Sequence, residues 1–214
     1  VLLDEEGKVV GQGITNSRSN YDVASGVARD EAITAARFTM LDRELDAVAA
    51  GRADLDLPLL RATLLGQFRL ALYLDQLAEL RVEVSKLLDA AHNKAYRDGL
   101  APMSEDVLDE CLDGAPEMFV AGATRRSDFF RDLAGAAFMA SAERRAGSGD
   151  VEFERLAAVF DRAIFNVEAQ RLVYSFQDIL HRALRGTAKL CPDAPHAVLG
   201  QLVGLVRGAS SRGH

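Results

Sequence analysis

The chain reads as an all-α protein: a helical bundle of about six helices, one or two of them long, preceded by a short β-hairpin. Three observations predict this. Apolar residues recur at three- and four-residue steps over most of the 214 residues. Good helix formers fill those stretches, with glycine and proline concentrated between them. Only the first fourteen residues carry strand-like runs around a turn.

Val1-Leu2-Leu3 and Lys8-Val9-Val10 form the two arms of that hairpin, and Asp4-Glu5-Glu6-Gly7 forms its turn. Gly11 and Gly13 end or bulge the second strand. Two strands are marginal alone, so the hairpin (1–15) must pack on helices, pair with another chain or continue an upstream sheet. Residues 16–214 then make a single helical domain.

After the connector Asn16 to Asn20, a helix is expected from Asp22 to Ala50, stopped at Gly51. Its stripe is Ala24, Val27, Phe38, Leu41, Leu45 and Val48, and Glu31 falls on the same line. Pro58 suits the first turn of a second helix reaching Asp98. That helix is apolar all round between Leu59 and Leu74, then narrows to Leu77, Leu80, Val84, Leu87, Leu88, Ala91 and Ala95. The first half therefore belongs at a bundle centre or in an oligomer contact.

Gly99 to Met103 are expected to break it, and Ser104 to cap a short helix ending at Leu112 before Gly114 and Pro116. A further helix is expected over Ser127 to Arg145, then a turn over Ala146 to Asp150. From Asp150 a helix runs to Arg185 and stops at Gly186. Its apolar face switches side after Val167, so it bends or touches two surfaces. A terminal helix opens after Pro192 and Pro195.

Composition narrows the function classes. The apolar share of 49% is that of a globular chain. A net charge of -7 disfavours nucleic acid, leaving Arg125-Arg126 and Arg144-Arg145 as local basic pairs. No apolar run has transmembrane length, which predicts no membrane span. Cys111 and Cys191 make no zinc-spaced cluster, and so sparse a cysteine content fits a cytoplasmic location. There is no phosphate-loop, dinucleotide or nucleophile-elbow motif.

Two polar helical lines stand out. One holds Ser85, Asp89, His92 and Tyr96; the other holds Arg171, Tyr174, Asp178, His181 and Arg185. Each contains Asp-x-x-His. On a helix that spacing puts a carboxylate and an imidazole on one face, where both can grip a divalent transition metal. Glu31 would add a third helix, and Glu143 a fourth, as in carboxylate-bridged bundle sites, although those use Glu-x-x-His. The plainer account, and the favoured one, is a solvated polar face or salt-bridge network needing no cofactor. For Glu31 the plainer account is a salt bridge at the stripe's edge with Arg29 or Arg37.

The leading expectation is a non-enzymatic association module, regulatory, scaffolding or effector-binding, acting as a homodimer or higher homo-oligomer or on a helical protein partner. A metal-dependent bundle enzyme using the two Asp-x-x-His pairs is the alternative. A small-molecule-binding effector domain of a transcription regulator is the third.

Overall fold

The computed structural model describes residues 1–14, 21–50, 55–90, 92–124, 127, 129–145, 151–169 and 174–192. Among them the fold is all-α with a two-stranded antiparallel hairpin, and 79% of these residues are helical. The elements are β1 (Leu2–Leu3), β2 (Val9–Gly11), α1 (Tyr21–Ala49), α2 (Leu57–Asp89), α3 (Arg97–Met118), α4 (Phe130–Arg145), α5 (Val151–Ala169) and α6 (Phe176–Leu190). The chain groups into two compact units, 1–68 with 173–214 and 69–172, so the boundary falls inside α2. The expected Asn16–Asn20 connector, the Gly51 stop, the Arg125-Arg126 pair, the Ala146–Asp150 turn, Arg171 and the terminal helix lie outside the described residues.

In the first unit the hairpin solves its marginal stability by lying on α1. Gly7 closes the turn at φ +79°, a conformation costly for residues with a Cβ. The Asp4 carboxylate accepts from the Lys8 N–H at 2.8 Å and fixes that turn. The second strand runs so close to α1 that a Cβ on Gly11 would stand 2.1 Å from the Ala32 carbonyl oxygen. On Gly13 it would stand 1.9 Å from that of Ala28. Three polar ties fasten the contact. Ile14 N–H donates to Glu31 at 2.9 Å, Thr39 Oγ1 donates to the Val10 carbonyl at 2.9 Å, and Arg43 lies 3.9 Å from Asp4.

The α2 start matches the proline signal, and the Asp56 carboxylate accepts the Leu59 N–H at 3.0 Å. Leu60, Leu64 and Phe68 are buried. Phe38, Phe68 and Phe176 stack edge-on or tilted, with centroids 4.9 to 6.0 Å apart. Arg61 reaches Asp42 and Asp46 on α1, at 3.3 and 2.7 Å. The α6 backbone passes close to α2: a Cβ on Gly186 would lie 2.0 Å from the Gln67 side-chain oxygen. Gly186 is a packing glycine inside α6, not the stop that the sequence suggested.

The second unit is built around one apolar cluster. From α2 come Leu70, Tyr73, Leu77, Leu80, Val84 and Leu88, in steps of three and four. α3, α4 and α5 close over them with Val107, Leu108, Phe138, Leu156, Phe160 and Ile164 among others. Arg81 of α2 pairs with Glu105, at 3.2 Å, and with Asp109 of α3. Arg131 of α4 pairs with Glu168 of α5 at 3.2 Å.

Three expected boundaries are corrected. The long second helix ends at Asp89, not at Asp98; the Asn93 side-chain amide donates to the Leu87 carbonyl at 2.8 Å and satisfies an orphan acceptor of the last turn. α3 then runs unbroken from Arg97 to Met118 through Gly99, Pro102, Gly114 and Pro116. Leu100, Ser104, Val107, Leu108, Cys111 and Ala115 stay in helical phase throughout, and their burial outweighs the interior-proline penalty of about 3 kcal/mol. Ser104 is buried inside that helix, donating to the Ala101 carbonyl at 2.8 Å, and caps nothing.

The third correction explains the face switch. Val151–Ala169 and Phe176–Leu190 are separate helices, and Ser175 starts the second with extended backbone, its hydroxyl accepting the Asp178 N–H at 3.3 Å. Each helix keeps one apolar face of its own. Ser175→Ala is expected to cost about 1 kcal/mol, the usual worth of such a cap. Urea titration of the variant checks it, and a change under about 0.3 kcal/mol would remove the cap from the account.

Candidate functional site

The first Asp-x-x-His pair does not lie on one helix. Asp89 is the last residue of α2, and His92 stands in the turn over 92–96, so the shared-face spacing is lost. The Asp89 carboxylate meets Arg97 in an ion pair, and His92 Nε2 lies 3.2 Å from the Asn93 amide, with both His92 and Asp89 exposed. Tyr96 precedes α3 and is 42% exposed, with the Arg155 guanidinium 3.7 Å above its ring centroid. Ser85 is exposed on α2.

The second pair does share a helix. Asp178 stands in the first turn of α6, exposed, and His181 is half-buried one turn on. Arg185 is exposed and Tyr174 half-buried. The two pairs fall in different compact units. Among the described residues, no group of three or more His, Cys, Asp or Glu is placed to hold a metal ion.

Glu31 is exposed on α1. Its carboxylate holds the Ile14 amide, so it fastens the hairpin. Arg29 faces Asp30 at 3.6 Å, and Arg37 lies 4.8 Å from the Phe176 ring centroid. Glu143 is exposed on α4.

Among the described residues the buried carboxylate is Glu83 on α2, 7% exposed, paired with Lys86 at 2.6 Å and accepting from Asn166 of α5 at 3.3 Å. The signal was available: Leu80, Glu83 and Leu87 share a face by the same spacing that singled out Glu31. A carboxylate taken out of water needs such partners.

The densest polar cluster joins α3 to α4. Glu110 accepts from the buried Ser141 hydroxyl, from Arg144 at 2.8 Å and from Arg145 Nε at 2.9 Å, while Arg145 also reaches Asp106 at 2.9 Å. Hydrogen bonds from Ser141, Arg144 and Arg145, in that order, hold the Glu110 carboxyl down at about 2, against 4.5 for a free one. One of the two basic pairs noticed in the sequence is thus consumed internally. Because the folded value lies below the unfolded one, the cluster's contribution is complete above about 4.5 and fades as pH falls toward 2. Glu110→Gln is therefore expected to melt below the wild type at neutral pH, with the gap closing in acid. A gap that stays constant down to pH 2 would contradict the ionic clasp.

Both cysteines are free. Cys111 is buried in the core of the second unit, and burial pushes its thiol up to about 11, so it is a packing residue rather than a thiolate nucleophile. Tyr73 lies in the same core, 2% exposed, and burial raises its phenol above the ordinary value. Among the described residues its hydroxyl has no hydrogen-bond partner. No helix among the described residues is long and apolar enough to cross a membrane.

Among the described residues, large apolar side chains are exposed mainly in the first unit, above all on the hairpin. Leu3 and Val9 are register partners across the two strands, 59% and 54% exposed. Val1 and Ile14, at the two ends of the hairpin segment, are 74% and 61% exposed. The Val10 carbonyl and the Gly11 backbone lie against α1. The result is an apolar outer face on a hairpin whose strands pair with no third strand among the described residues.

No protein-family model matches the chain, and neither a curated protein nor a solved structure is significantly similar to it.

Proposed function

We propose that this chain is an association module that pairs with a second copy of itself through the outer face of its hairpin. The observation that carries the reading is the exposed Leu3–Val9 cross-strand pair. Two β-branched or branched apolar side chains facing water beside open strand edges are what a sheet presents when another strand is to cover it. The all-round apolar stretch of α2 contributes less than its sequence suggested. Leu60, Leu64 and Phe68 are already buried within the first unit, so charging Leu64 or Phe68 tests folding and not assembly.

Replacing Leu3 and Val9 together by lysine puts charge on that face without touching the side packed on α1. The wild type is expected to be dimeric by light scattering at tens of micromolar protein, and the double variant monomeric with an unchanged circular dichroism spectrum. A monomeric wild type under those conditions would overturn the reading. So would a double variant that remains dimeric.

A further inference from the structure

We draw no further inference here: the strongest candidate, the shallow recess between β1 and α1 lined by Val1, Leu2, Gly13, Ala28 and Ala32, adjoins the hairpin surface already described, and nothing in the structure shows what covers it.

Discussion

Phe138→Ala is expected to destabilise the protein by about 3–5 kcal/mol, the usual cost of deleting a fully buried aromatic side chain. Phe138 of α4 has no exposed surface, and its ring stacks on that of Phe160 of α5, with centroids 3.7 Å apart and planes 19° from parallel. Removing it opens a cavity in the core of the second unit and leaves Phe160 without its stacking partner. Denaturant titration measures the loss. Phe160→Ala and the double variant complete a cycle in which the two losses should fail to add, since each single change already removes the ring contact. Additive losses, or a Phe138→Ala cost below about 1 kcal/mol, would mean that the rings do not pack as described.

Gly13→Val should detach the hairpin while leaving the helices folded. Its new Cβ would begin 1.9 Å from the Ala28 carbonyl oxygen and 2.8 Å from the Ala32 nitrogen, both backbone atoms that cannot swing aside. The strand must lift, and the ties from Ile14 to Glu31 and from Thr39 to Val10 go with it. Overpacking of this kind costs about 1–3 kcal/mol, and here it falls on a local element rather than on the core. Amide exchange should quicken at Ile14 and across β2, while amides in the middle of α2 keep their protection. If the hairpin stays protected in the variant, the close approach of glycine to helix is not what seats it. If the proposed dimer forms through the same hairpin, this variant should also lose it.

The sequence made the local chemistry legible where one signal acted alone. Gly7 in a four-residue turn, Pro58 in a first turn and the three- and four-residue steps of Leu77, Leu80, Val84 and Leu88 all found their places. It misled where packing outweighed propensity. Gly99, Pro102 and Gly114 read as stops, yet the buried side of α3 keeps its phase across all three. The residues from Ala90 to Tyr96 read as helix because most of them are tolerated in one, but no described residue from Asp89 to Gly99 is buried, and nothing there holds a helix in place. That misreading also created the first Asp-x-x-His face, since the spacing means something only on an unbroken helix. Glu31 was read on the apolar stripe of α1, and the structure leaves it exposed next to the hairpin. The face of α1 that it shares is covered by a hairpin backbone, which offers its carboxylate an amide at the edge instead of an apolar neighbour.

The two compact units are not consecutive along the chain: residues 69–172 are contiguous, whereas the other unit needs residues 1–68 and 173–214. During synthesis from the N-terminus, the contiguous unit has every residue it needs before its neighbour does. The hairpin, α1 and the opening turns of α2 must wait for α6 to emerge, with Phe38 and Phe68 lacking Phe176 until then. The span between Phe68 and Phe176 adds little in loop entropy, because that cost grows only with the logarithm of length, and less once the intervening segment has folded. What it adds is delay, during which the apolar side chains of α1 and early α2 stay uncovered. A nascent chain arrested with residue 172 just clear of the ribosome would therefore carry a finished second unit and an unfinished first one.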